Sequence, residues 1–307
     1  MHTAYISHPA CRKHDMGSSH PESPARLLAI EDALIASGLM PFLSRQDAPC
    51  ATEEQLARVH PASYIEWVKA QAPSVGMAYL DGDTAMNPHT LEAAYRAAGA
   101  VVLAVDLVMK GEVENAFCAI RPPGHHAEAA RAMGFCIFNN VAVGVMHAIA
   151  AHGLQRVAIA DFDVHHGNGS EQIFHDDPRV MLCSTFQHPY YPGCGAHSGN
   201  DHIINVPLPA GTDGAAFRAA VEKHWLPALE RFQPQMLFVS AGFDAHWEDD
   251  MAQFKLKEAD YTWVTGELKK IAAKHAEKRI VSVLEGGYEL HALGRSVLAH
   301  VKTLSEL

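Results

Sequence analysis

Long apolar runs are missing from this chain of 307 residues: the most hydrophobic stretch, Ala97 to Val108, is interrupted by Asp106 and is too short to span a bilayer. That argues against a helical membrane protein. The opening residues Met1-His2-Thr3-Ala4-Tyr5-Ile6-Ser7-His8-Pro9 hold no apolar secretion signal, so a cytoplasmic protein without a membrane partner is expected. Positive charge is scarce as well. Acidic side chains number 35 against 24 basic ones, and the net charge of −11 repels polyphosphates, which argues against nucleic acid as a direct ligand. Cys-x-x-Cys pairs are absent. The cysteines at 11, 50, 118, 136, 183 and 194 have neither zinc-knuckle nor disulfide-framework spacing, and reduced thiols are expected, with Cys118 and Cys183 as small buried hydrophobes in strands. No repeat, low-complexity tract or long Pro/Gly/Ser linker marks a boundary, so residues 1–307 are expected to form a single domain.

What the chain does have is 48% hydrophobic content, enough for a full core, arranged as short β-rich runs alternating with helical patterns. Strands are predicted at Thr3 to Ile6, Ala116 to Ile120, Val157 to Phe162, Val180 to Ser184, Met236 to Ser240 and Ile280 to Leu284. Helices are predicted at Pro24 to Ser37, Leu91 to Lys110, Val141 to His152, Phe217 to Phe232, Ala259 to Ala276 and His291 to Leu304. Ser23-Pro24 suggests an N-cap with proline at the first helical position, and Gly38, Gly111 and Gly153 stand where left-handed caps are wanted. The alternation is that of parallel strands joined by crossover helices, an α/β fold.

In open α/β sheets, ligands bind beyond the carboxyl ends of the strands, and four of these runs end in reactive residues. They lead into Arg121-Pro122-Pro123-Gly124-His125-His126, Asp163-Val164-His165-His166-Gly167-Asn168-Gly169, Ala241-Gly242-Phe243-Asp244 and Glu285-Gly286-Gly287-Tyr288. Asp163 and His165, two apart in extended backbone, point the same way and can share one ion. Asp244 would complete an Asp-His-Asp set with an open fourth position, the pattern of a catalytic zinc, although nothing in the spacing ties it to the other two and a strand-end aspartate also serves as an ordinary turn residue. His125 and His126 can offer two imidazoles to one small volume for acid–base work, or be a solvated pair in a loop. Tyr288 can donate its hydroxyl to a developing oxyanion, or simply pack.

Pro122-Pro123-Gly124-His125-His126, Gly134-Phe135-Cys136-Ile137-Phe138-Asn139-Asn140, Asp161-Phe162-Asp163-Val164-His165-His166-Gly167-Asn168-Gly169, Ser240-Ala241-Gly242-Phe243-Asp244 and Glu285-Gly286-Gly287-Tyr288 resemble, in order, the motif series of histone deacetylases. The likeness begins at His20-Pro21-Glu22-Ser23-Pro24-Ala25-Arg26-Leu27 and is strongest to the class II branch and its bacterial amidohydrolase relatives. It implies an arginase/deacetylase-like fold with a central, mainly parallel sheet of about eight strands flanked by helices. It also implies Asp163, His165 and Asp244 as ligands of one zinc per chain, His125 and His126 as the catalytic pair with Asp161 and Asn168 behind them, and Tyr288 as oxyanion donor. A potassium ion is implied near Asp161, Asp163, His165, Ser184 and Thr185. Gly134 and Phe135 match one wall of an acyl-lysine tunnel, and Tyr191 stands where the family has a facing phenylalanine. Asp83 matches a rim aspartate, Arg26 the arginine of an internal acetate channel, and Met251 a gatekeeper position.

The reaction implied is hydrolysis of an acetyl amide by metal-activated water, with His125 protonated and His126 the neutral base. An apolar Met251 favours an acetylated cationic substrate of the acetyl-lysine type, protein, peptide or small molecule. Glu248, Asp249 and Asp250 leave acetylpolyamines as the alternative, since together they could steer a polycation to the mouth. Two rivals remain: a binuclear-manganese arginase-like ureohydrolase using Asp161 and His246, and a catalytically dead acyl-lysine reader. The Asp-His-Asp donors also accept iron(II) or cobalt(II), and a homo-oligomer is left open.

Overall fold

The computed structural model describes residues 3–307; Met1 and His2, the start of the opening stretch, lie outside the described residues. Eight strands form one sheet: β1 (Thr3–Ser7), β2 (Ser44–Asp47) and, beyond a small antiparallel hairpin of β3 (Ala78–Tyr79) and β4 (Ala85–Met86), β5 (Asn115–Cys118), β6 (Val157–Asp161), β7 (Val180–Gln187), β8 (Ile203–Leu208), β9 (Met236–Ala241) and β10 (Ile280–Leu284). Their order is β2-β1-β5-β10-β9-β6-β7-β8, and every pairing is parallel.

Strands β5, β6, β7, β9 and β10 are buried along their whole length, as expected of parallel strands covered by helices on both faces. Cys118 and Cys183 sit inside two of them. The covering helices are α1 (Ala25–Ala36), α2 (Glu53–Ala57), α3 (Ala62–Gln71), α4 (Thr90–Met109), α5 (Asn140–His152), α6 (Asn168–Phe174), α7 (Gly214–Ala220), α8 (Leu226–Phe232), α9 (Glu258–His275) and α10 (Leu290–Ser305). No helix of the described residues is long and apolar enough to cross a membrane.

Local chemistry sets the helix ends. Asn139 caps α5 by accepting from Ala142 N–H at 3.0 Å, and Gly153 ends it in the left-handed region, as Gly38 and Gly111 do past α1 and α4. The cap expected from Ser23 is not formed by its side chain. Pro24 already has helical dihedrals, and the Ser23 carbonyl accepts from Arg26 N–H at 3.1 Å instead.

The helix expected over Phe217 to Phe232 is split. Residues Val221–Trp225 form a π-helical turn between α7 and α8, and the Leu226 N–H reaches back to the Val221 carbonyl. Pro227, at the start of α8, has no N–H for the regular ladder, so the wider turn absorbs the missing bond while Val221 and Trp225 stay buried.

The register aligns the strand ends. Cys118 pairs with Val283, Val283 with Ser240, and Ser240 with Asp161, so the four strands carrying reactive termini are the adjacent β5, β10, β9 and β6 and finish level. A second, smaller cluster of buried side chains, including Leu56, Tyr64, Met86, Ile137 and Phe138, packs under the hairpin and the loop after Gly134. It supports one wall of the rim.

Candidate active site

Asp161 is the last residue of β6, and the chain beyond it bends over Asp163 to His165 instead of staying extended, so that successive aspartate-to-backbone turns, not strand alternation, aim Asp163 and His165 at one point. Asp163 N–H is held by Asp161 Oδ1 at 3.1 Å and His165 N–H by Asp163 Oδ1 at 2.9 Å. From β9 comes Asp244, whose Oδ1 accepts from Val164 N–H at 3.0 Å. Its other oxygen is then turned to His165 Nδ1, 3.0 Å away, while Asp163 Oδ1 lies 3.2 Å from the same nitrogen. Asp163, His165 and Asp244 each offer one ligand atom within 4.8 Å of the others, and all three are buried.

The backbone at this centre tolerates no side chain. A Cβ at Gly242 would run into the Asp163 carboxylate, and one at Gly286 into that of Asp244. With no Cβ there, Gly286 N–H comes within 2.8 Å of Asp163 Oδ2. Burial and the charge of Asp163 push Asp244 up to about 6, whereas Asp163, equally buried, is held well below the carboxylate range by His125 and His165. Two buried carboxylates meeting one imidazole nitrogen fit a divalent cation that takes nitrogen and oxygen ligands. Ser184, level with Asp161 on the neighbouring strand, keeps a buried Oγ with no hydrogen-bond partner among the described residues, and Thr185 beside it is also buried.

The two adjacent histidines have opposite surroundings. His125 Nδ1 faces Asp161 Oδ2 at 3.0 Å, and although burial disfavours its cation, Asp163 and Asp161 outweigh this and raise it to about 10. His126 Nδ1 donates to Asn168 Oδ1 at 2.8 Å, because Asn168 Nδ2 is itself a donor, to Glu128 Oε1 at 3.0 Å. Burial and the neighbouring His125 and His165 hold His126 well below its ordinary value. It is a neutral imidazole with Nε2 unprotonated.

A cavity of about 190 Å³ opens over His126 and His165, lined also by Asp83, Gly134, Phe135, Tyr190, Tyr191, Met251 and Tyr288. Tyr191 stands edge-on to His126 with ring centroids 5.2 Å apart, and Phe135 edge-on to Tyr288 at 5.9 Å. Every residue expected at the rim lines this one cavity.

His246 does not join the centre: it accepts from Glu248 N–H and faces Glu258. Asp161 is bonded to His125, and neither it nor His246 belongs to the set formed by Asp163, His165 and Asp244. The acidic run after Asp244 is also dispersed. Glu248 pairs with Arg295 at 2.8 Å, buried Asp249 accepts the backbone N–H groups of Tyr288, Glu289 and Met251, and only Asp250 is exposed. Arg26 is buried beneath the site, with Nε 2.6 Å from the Gly287 carbonyl and its guanidinium 4.9 Å from the Tyr288 ring centre.

Three supporting residues were not singled out from the sequence. Tyr190 stacks on His165 with centroids 5.8 Å apart and donates to the Met251 carbonyl at 2.8 Å. Glu285 accepts from Gly124 and His125 N–H, and its burial pushes it up to about 7. Glu22 sits between Arg26, Arg121 and His14 with all four side chains buried. A charged residue closing an apolar strand, as Glu285 closes Ile280 to Leu284, is the one signal that could have found any of them.

Residues 20–304 match the histone deacetylase domain. The chain is 39% identical over 295 residues to a histone deacetylase-like amidohydrolase of Pseudomonas aeruginosa, covering 94% of this chain and 77% of that one. To the human polyamine deacetylase HDAC10 it is 36% identical over 301 residues, covering 92% of this chain and 44% of that protein. The fold is similar to the crystal structure of the HDA15 HD domain, with a TM-score of 0.92 and 31% identity over 100% of this chain and 90% of that one. With the same eight-stranded parallel architecture and a family match running almost from end to end, the chain belongs to the histone deacetylase family of amidohydrolases.

Proposed function

We propose that residues 1–307 form one catalytic domain that hydrolyses the acetyl amide of acetyl-lysine, with zinc held by Asp163, His165 and Asp244. The observation that carries this is the convergence, around the His126 and His165 that line a narrow cavity, of the buried Asp-His-Asp set and two imidazoles with different partners. When bound, zinc supplies a Lewis acid that polarises the amide carbonyl and acidifies water near neutral pH. His126, neutral and held through Nδ1 by Asn168, takes the water proton at Nε2 and returns it to the leaving amine. His125, kept cationic by Asp161, adds positive charge beside the reacting carbonyl. Tyr288 donates its hydroxyl to the oxyanion. Gly134, Phe135 and Tyr191 confine the alkyl chain, Asp83 takes polar groups at the mouth, and Met251 presents an apolar edge.

Potassium is assigned to the neighbourhood of Asp161, Asp163, His165, Ser184 and Thr185, supported by the unpartnered Ser184 hydroxyl. An acetylpolyamine is the second reading. It is favoured by the likeness to a polyamine deacetylase and by exposed Asp83 and Asp250, and opposed by the pairing of Glu248 with Arg295 and the burial of Asp249.

The test compares kcat/KM for an acetyl-lysine peptide with that for acetylputrescine and N8-acetylspermidine, in the wild type and in Asp244→Asn. The peptide is expected to be preferred, and the variant to lose most turnover together with zinc. A tenfold preference for the polyamines overturns the substrate; full zinc with near-normal turnover in the variant overturns the ligand set.

A further inference from the structure

Asp106, the charge that interrupts the apolar run of α4, is placed to do more than face solvent. Its Oδ1 accepts from two imidazoles of α5, His147 Nε2 at 2.8 Å and His152 Nε2 at 2.7 Å. One ligand-capable atom from each of the three lies within 4.8 Å of the others. The set lies at the far side of the sheet from the cavity, because α4 and α5 both end just before the starts of β5 and β6, whereas the catalytic groups follow the ends of those strands.

Both helices bring the negative ends of their dipoles there. His152 is the last residue of α5, and Asp106 lies in the last turn of α4. His147 is largely shielded while Asp106 and His152 are both partly open, which gives an ion an entry path.

Arg58, at the end of α2, faces the same imidazole. Its Nη1 is 2.9 Å from His147 Nδ1. A guanidinium only donates, so His147 Nδ1 accepts and Nε2 carries the proton given to Asp106. Ligation through Nε2 requires that proton to move to Nδ1, and Arg58 must then withdraw. Glu54 offers it a place, its Oε1 being already 3.1 Å from Arg58 Nη2.

We propose that Asp106, His147 and His152 form a second site for a divalent transition cation of the zinc, cobalt or nickel class, remote from the catalytic cavity and opposed by Arg58. Two imidazole nitrogens and one carboxylate oxygen are the donor set such ions prefer, and solvent completes the coordination. The ion would join α4 to α5 and release Arg58 to Glu54.

The experiment is equilibrium dialysis of the full chain against zinc chloride, with bound zinc counted per chain in the wild type, His147→Gln, His152→Gln and Arg58→Gln. Both histidine variants are expected to hold one zinc fewer than the wild type while turning over substrate normally. Arg58→Gln, which removes the competing donor and offers an amide oxygen to Nδ1–H, is expected to tighten that zinc by about tenfold, within the range that such supporting contacts command. Added zinc should also raise the unfolding temperature of the wild type more than that of His152→Gln. Equal zinc counts in the wild type and both histidine variants, or an Arg58→Gln variant that binds no tighter, overturn the proposal. Because the readout is the difference between wild type and variant, it stands apart from whether the catalytic centre itself takes zinc.

Discussion

Two histidines adjacent in the chain are shifted in opposite directions: Asp163 and Asp161 outweigh burial and raise His125, whereas burial and the neighbouring His125 and His165 lower His126, whose Nδ1 meets only the amide oxygen of Asn168. Replacing His126 by alanine should therefore lower kcat more than replacing His125. The reverse order in steady-state kinetics would exchange their roles. Tyr288→Phe should cost roughly a hundred- to a thousand-fold in kcat with little change in KM, since its hydroxyl matters mainly once the carbonyl oxygen carries charge. A change confined to KM would make it a ground-state contact. Adjacency in the sequence is enough to put both imidazoles in one place, but neither Asp161 nor Asn168 is near them in the chain. Which imidazole is charged therefore rests, at the level of single residues, on motif order alone until the pairs are seen together.

At the scale of elements, the interior of the sheet was readable and its margins were not. The six strands expected from apolar β-rich runs are all present, and the two further strands of the large sheet, β2 and β8, are its edges. Edge strands are half solvated and defended against further pairing. Ser44-Arg45-Gln46-Asp47 is polar with alternating exposure, and β8 carries Pro207. Neither therefore looks like a strand in one dimension. The π turn before Pro227 was hidden for another reason, because a wide turn keeps the helical burial pattern while changing the ladder.

Element packing also makes a prediction well away from the chemistry. Gly99 lies in the middle of α4 where a Cβ would strike the backbone of Pro49 to Ala51, a segment bonded to the helix through Ala51 N–H and the Tyr95 carbonyl at 2.8 Å. Gly99→Ala should destabilise by about 1–3 kcal/mol in denaturant unfolding despite the better helix propensity of alanine. The kcat of the folded fraction should be unchanged, and a stabilised variant would mean that this contact is looser than described.

For the whole molecule, buried neutral histidines set a stability that depends on acidity. His300, bonded to Thr265 and Ser282 inside a box of aromatic rings, is lowered to about 3 by burial, and burial lowers His60 to about 4. Their folded values lie below the ordinary value of 6.5, so in acid the unfolded chain takes up protons that the native state refuses. Stability is therefore lost as pH falls from about 6.5 towards 4, at up to about 1.4 kcal/mol per pH unit for each group. Denaturant unfolding at pH 7, 6 and 5 should show this slope, and His300→Asn should reduce it by one proton. An identical slope in the variant would remove His300 from the account.

The sequence by itself determined the α/β class, the strands that carry reactive ends and the side chains at those ends, because side-chain direction and local propensity are short-range properties written every second or every third to fourth residue. Only the tertiary structure decided that β5, β10, β9 and β6 are neighbours, which brings Asp244 to His165 across 79 residues of chain. It also decided that His246 faces Glu258 instead of the centre and that Arg295 neutralises Glu248. Such pairings follow from the order of strands and the packing of helices, which local pattern does not encode, and they determine which of many plausible donors meet.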